Sequence, residues 1–233
     1  MNYFLFNGHT SLDMGIVIEH APEYSMAERV VEMIEVPGRN GSLVIDTNAY
    51  SNVEQVYHVY FDGRQSSFTA KAHTISNWLL GGGAYMRLED TYDPDVYRMA
   101  RISKPDTMNN FMNKLGRFDV VFDCKPQRWL KSGEVEQDLV SGDDVNNEFA
   151  DCHPIFKLTG NGTLTVNGNT ITVTNNATST ITIDCETQNA YTGTTNRNAD
   201  VTVTGKFPYL KHGVNEISFT NTSCKMTPRY WTL

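Results

Sequence analysis

The sequence predicts a mainly β protein of two β-sandwich domains, the first carrying one α-helix and an extended β-hairpin. Three observations predict it. The second half repeats short alternating apolar/polar runs punctuated by turn residues, as in Thr163–Thr174, Ser179–Asp184, Ala199–Thr204 and Val214–Thr220. Only one stretch, Phe68–Leu79, shows helical spacing. A long hairpin signature surrounds Val36-Pro-Gly-Arg-Asn-Gly-Ser-Leu-Val44.

In that hairpin, Arg29–Val36 places apolar residues at Val31, Met33 or Ile34, and Val36, and Leu43-Val-Ile-Asp46 returns from the tip. Pro37 cannot donate to a strand ladder, and Asn40-Gly41 tolerates the backbone of a tight reversal. The tip holds one Arg39 and no acid–base pair. On local pattern alone this is an ordinary hairpin of a β domain over 29–50. Its length calls for a surface to lie on, its own sheet or that of another subunit.

The chain has 233 residues, 39% of them apolar and 20% charged, which suits one to two globular domains with real cores. Net charge is −8. A protein that binds nucleic acid through phosphate contacts needs a basic face, so sequence-specific nucleic-acid binding is not expected. No apolar run approaches the roughly 18 residues that span a bilayer, so no membrane insertion is expected. The start, Met1-Asn-Tyr-Phe-Leu-Phe-Asn-Gly8, lacks the basic and apolar regions of a secretory signal, which points to cytoplasmic synthesis and reduced thiols.

Taken in order, residues 2–6 and 15–19 read as strands separated by a turn at Asn7-Gly8, and Gln55–Phe61 as another. Ser66 or Ser67 caps the helix of 66–80, whose face carries Phe68, Ala72, Ile75 and Leu79 and belongs in a core; Gly81-Gly-Gly83 supplies a left-handed stop. Ala84–Glu89 and Tyr97–Ile102 are strands joined by the acidic turn Asp90–Asp95, which lacks the ligand spacing of a calcium loop. Residues 103–117, polar and Asn-rich, read as a loop or distorted turn. Phe118–Cys124 is a strand ended by Pro126. A shift to polar, acidic composition after Pro126 puts the domain boundary near residue 131, giving domains 1–131 and 132–233, with the Asp143-Asp144 region a solvated loop.

No catalytic arrangement emerges. There is no Gly-x-Ser-x-Gly and no glycine-rich loop opening a helix. The adjacent Cys152 and His153 would point to opposite faces of a strand. Cys124, Cys152, Cys185 and Cys224 form no Cys-x-x-Cys pair, so neither a metal nor any other cofactor is expected. Tyr191, Tyr209, Tyr230 and Trp231 do not line up on one strand face as a sugar-stacking platform would, and read as core or interface aromatics.

A resemblance covers nearly the whole chain. Phe4-Leu-Phe-Asn-Gly8, the Gly38-Arg-Asn-Gly41 tip, the lone helix and Phe122-Asp-Cys-Lys-Pro126 occur in the order found in the N-terminal domain of siphophage distal tail proteins. Ile183-Asp-Cys-Glu186, followed by Phe207-Pro-x-Leu-x-x-Gly-x-Asn215, resembles their C-terminal domain, which marks Asp184, Phe207, Pro208, Leu210, Gly213 and Asn215 as its signature.

The resemblance implies a structural virion protein rather than an enzyme. It implies a ring, usually hexameric, at the tip of a long non-contractile tail, assembled in the host bacterial cytoplasm. Such a ring joins the tail-tube protein to the tail-associated tip protein, leaves a DNA channel, and supports host-adhesion components such as a receptor-binding protein. Val36, Gly38, Arg39, Asn40, Gly41 and Leu43 then belong to a ring-interface hairpin, and the second domain to a galectin-like sandwich, related in form to carbohydrate-binding modules. An acidic chain suits a channel wall that repels phosphates. Two other readings stand beside it: a tail-tube subunit, and a free-standing lectin-like module in residues 132–233.

Overall fold

The computed structural model describes residues 1–62, 67–104, 107–111, 115–174 and 179–233. It is mainly β and divides into two compact units, residues 1–128 with Leu233, and residues 129–232.

The first unit holds β1 (Phe4–Phe6), β2 (His9–Thr10), β3 (Ile16–Ile18), β4 (Arg29–Ile34), β5 (Leu43–Tyr50), β6 (Val53–Asp62), α1 (Phe68–Leu80), β7 (Met86–Asp90), β8 (Val96–Lys104), β9 (Asn109–Phe111) and most of β10 (Leu115–Leu130). Seven of these strands form one curled sheet in the order β2-β1-β7-β8-β10-β6-β3, with β9 added to β10. Strand β6 alternates buried and outward residues along its whole length, so Val53, Gln55, Tyr57, Val59 and Phe61 all point inward. Tyr57, Val59 and Phe61 meet Phe4, Phe6, Phe118, Val120 and Phe122 in one core. Phe122 stands edge-on to Phe4, Phe6 and Tyr57, with ring centres 5.6, 4.9 and 5.9 Å away.

The helix closes this core with Ile75, Trp78 and Leu79. Ser67 is its cap, its hydroxyl accepting from Ala70 N–H at 3.2 Å; Ser66 lies outside the described residues. Trp78 Nε1–H donates to the Phe6 carbonyl at 2.9 Å and pins the helix to β1. The left-handed stop does not form. Gly81 sits at φ −68°, in the right-handed region, and its missing side chain serves close approach instead, since a Cβ there would lie 2.6 Å from the Asn77 carbonyl oxygen.

Two further expectations are corrected. Residues 103–117 are not simply a loop: β8 runs to Lys104, β9 occupies Asn109–Phe111, and β10 begins at Leu115, while 105–106 and 112–114 lie outside the described residues. Their backbones pair although most of their side chains are polar, because sheet hydrogen bonds are made by the main chain. Nor does Pro126 end its strand. The β6–β10 ladder already stops at Cys124–Val53, so the proline removes no donor from it.

The second unit is a β-sandwich. Its strands are β11 (Gln137–Leu139), β12 (Asp144–Asn147), β13 (Ile155–Thr159), β14 (Gly162–Val166), β15 (Asn169–Val173), β16 (Thr180–Asp184), β17 (Asn189–Thr192), β18 (Thr195–Asn196), β19 (Val201–Thr204), β20 (Gly213–Phe219), β21 (Ser223–Thr227) and β22 (Trp231–Thr232). One sheet runs β11-β21-β13-β16-β17-β18 and the other β12-β20-β14-β15-β19. Leu164, Val166, Ile171 and Val173, the alternate apolar positions of the β14–β15 hairpin, are buried against Phe156, Leu158, Ile181 and Ile183 of the first sheet. The polar stretch after Pro126 is not free loop, for β11 and β12 are drawn from it. Both are edge strands, and of their residues only Asn147 is buried, which is why no apolar pattern announces them.

Candidate assembly surface

The hairpin of 29–50 is a two-stranded ribbon, β4 with β5, that joins no other described strand. Its ladder pairs Ile34 with Leu43, Met33 with Val44, Glu32 with Ile45 and Val31 with Asp46. Paired residues share a face. One face therefore carries Val31, Met33 and Val44, and the other Ile34, Leu43 and Ile45. All six are exposed, Met33 by 67% and Val44 by 54%.

A ribbon apolar on both faces with two unpaired edges is unfavourable in water. An isolated hairpin is marginal, and a long apolar edge invites pairing. Its base is secured by local contacts. Arg29 pairs with Asp46 at 2.6 Å and lies over the Tyr50 ring. A bulge at Val30/Val31 is held by Thr47 Oγ1–H donating to the Val30 carbonyl at 2.6 Å and by Asn48 N–H donating to Asp46 Oδ1 at 2.8 Å.

The tip differs from a tight Asn-Gly turn. Val36, Gly38, Arg39, Asn40 and Gly41 all lie in the loop of residues 35–42 between the strands, and only Leu43 is in the ladder. Gly38 and Gly41 take φ of 82° and 79°, and Arg39 N–H donates to the Val36 carbonyl at 3.1 Å. The reversal is thus spread over the loop.

The signature of the second unit is structural. Leu210 is fully buried and exchanges two backbone hydrogen bonds of 2.9 Å with Cys152. Pro208 is buried beside it, Phe207 packs on the core, and Gly213 opens β20. Asn215 is fully buried: its Nδ2 donates to the carbonyls of Val145, Lys211 and Gly213, and its Oδ1 accepts from Asn167 Nδ2 and Lys211 N–H. Asp184 pairs with Arg229, a partner the sequence reading missed, as it missed Asn167 and Asn147. Nothing in a linear pattern links positions 45 residues apart.

Cys152 is buried while His153 points outward, and all four cysteines are free thiols. Among the described residues no group of three or more His, Cys, Asp or Glu is placed to hold a metal ion, and no helix is long and apolar enough to cross a membrane. The acidic turn is organised internally, Asp90 Oδ1 accepting from Tyr92 and Asp93 N–H and Oδ2 from the Tyr57 hydroxyl at 2.5 Å.

The chain thus combines two β units, the first bearing an apolar ribbon that pairs with no other described strand. Residues 150–232, most of the second unit, match the family model for the siphovirus-type tail component, C-terminal domain. The whole chain has the distal tail protein fold: it superposes on the crystal structure of SPP1 Dit (gp 19.1), described as a paradigm of the hub adsorption apparatus in phages infecting Gram-positive bacteria. The TM-score is 0.79, with 14% identity and 97% of each chain covered. No curated protein matches the sequence.

Proposed function

We propose that this protein is the distal tail subunit of a siphophage, a structural virion component that assembles into a hexameric ring at the tail tip. The observation that carries this is the β4–β5 ribbon, whose apolar side chains on both faces are left exposed by the described residues and need a cover. In this reading the ribbon crosses to a neighbouring copy, the first unit builds the ring, and the second, galectin-like unit supports adhesion components. The ring joins the tail-tube protein to the tail-associated tip protein around a DNA channel. With a net charge of −8, acidic side chains line that channel and keep phosphates from condensing on it.

Light scattering over a concentration range tests this. A discrete species near six subunit masses is expected. Charged residues at Gly41 and Leu43 should leave a folded monomer; rings of unchanged stability in that variant would refute the crossing ribbon. A basic channel wall in an imaged ring would refute the repulsion argument.

One feature favours a second reading, sugar binding by the second unit. An open groove of about 570 Å³ is lined by Asp151, His153, Gln188, Lys206, Phe207 and Tyr209, a mixture of rings and polar groups suited to a saccharide. Binding of cell-wall glycan by the full chain, lost in Tyr209→Ala, would support it.

A further inference from the structure

Among the described residues of the first unit, Arg128 is the most deeply buried charged residue, 4% exposed. Its guanidinium carbon lies 3.4 Å from the centre of the Tyr24 ring, and its Nη2–H donates to the Ser25 carbonyl at 3.1 Å. The Asp93 carboxylate stands 3.9 Å from Nη1, beyond hydrogen-bond reach, on a half-exposed side chain. A guanidinium has five N–H donors, so most of this one's capacity is unspent. None of its nitrogens is both fully buried and without a partner, so the unspent donors are open to a group that enters from the adjoining cavity.

Beside it opens a cavity of about 190 Å³, well above the roughly 10–15 Å³ that one water centre needs. Arg98, Tyr57, Tyr92 and Tyr97 line it as well. Two cations therefore face one space. Burial, and then the charge of Arg98, hold the Arg128 pKa below its ordinary value. Of the acids in the lining, Asp93 answers Arg128 only at 3.9 Å. Asp90 is committed to Tyr57 and to its own turn, and Glu89 to Arg87. Glu23 and Asp93 lie exposed at the rim.

We propose that the cavity between Arg128 and Arg98 is a binding site for a carboxylate. The planar guanidinium fork matches a carboxylate in two parallel hydrogen bonds, strengthened where water is excluded. A single negative charge fits better than a phosphate dianion, which would meet twice the repulsion from Glu23 and Asp93. The carboxylate comes either from an acidic side chain of another copy of this chain or from a small soluble acid. The site itself does not depend on the ring.

The test is an NMR titration of the arginine Nε–H signals of the full chain with sodium acetate, at ionic strength held constant with chloride. Saturable shifts at Arg128 and Arg98 are expected, with phosphate weaker at equal concentration. Arg98→Gln, at a partly exposed position, should weaken acetate by about tenfold, the loss of one charge-assisted hydrogen bond. Repeating the titration on the self-associated protein separates the sources. Acetate binding lost on association supports the site with a neighbour's side chain as its ligand, and binding retained supports it with a soluble acid. Absence of a saturable shift, an equal shift with chloride alone, or an unchanged response in Arg98→Gln overturns the proposal.

Discussion

Arg229 grips Asp184 with both arms of its guanidinium, Nη1 to Oδ1 at 2.7 Å and Nη2 to Oδ2 at 3.1 Å. The pair ties the end of β16 to the last turn of the chain, where Arg229 itself takes a positive φ of 60°. Burial alone would raise the Asp184 pKa. The bonds and charge of Arg229, with the N–H groups of Glu186 and Thr187, overcome it and hold the carboxyl below its ordinary value. A carboxyl depressed on folding stabilises above its unfolded pKa, and that stability is lost as pH falls through the folded pKa. Asp184→Asn should therefore cost about 2–3 kcal/mol at pH 7. The cost should shrink below about pH 4, as denaturant unfolding at a series of pH values will show. An equal cost at pH 7 and pH 3 would contradict the pair's role.

Gly116 faces Phe61 across the β6–β10 ladder, and a Cβ at Gly116 would lie 2.1 Å from the Phe61 ring. The ring is fully buried and cannot swing away freely. Gly116→Ala is expected to destabilise by about 1–3 kcal/mol through overpacking. The double variant with Phe61→Leu should recover part of that loss in thermal melts.

Asn215 satisfies three carbonyls and accepts two donors from a fully buried position. Asn215→Ala strands those groups and should cost about 3 kcal/mol or more, against roughly 0.5 kcal/mol for an exposed change such as Val214→Thr on the same strand.

Burial raises every cysteine thiol, Cys124 to about 11 and Cys152, Cys185 and Cys224 to about 12. A thiolate is the reactive form, so at pH 8 the folded protein should resist thiol reagents over hours and release four equivalents on unfolding. Rapid labelling of any one of them in the native protein would show that its strand opens locally.

Legibility in the sequence tracked burial on one face. The β14–β15 hairpin, β16 and the α1 stripe were readable because alternate or helical-period apolar residues report a core directly, and the core contains them. Strands β9, β11 and β12 were not, since short strands with a single apolar residue each carry no such pattern. Gly81-Gly-Gly83 reads as a left-handed stop, whereas Gly81 requires room beside the Asn77 carbonyl, a contact that no local pattern reveals. The hairpin strands were legible but the breadth of their loop was not.

By itself the sequence determined the β character of both halves, the helix of 68–80 and the long hairpin, because these rest on local periodicity and turn chemistry. Tertiary structure decided that the described residues leave both faces of the ribbon exposed, that Arg229 meets Asp184, that Asn215 knits the second unit, and that Arg98 and Arg128 share a cavity. Those depend on which distant segments the curled sheet and the sandwich bring together, and the chain's linear order carries no distance between them.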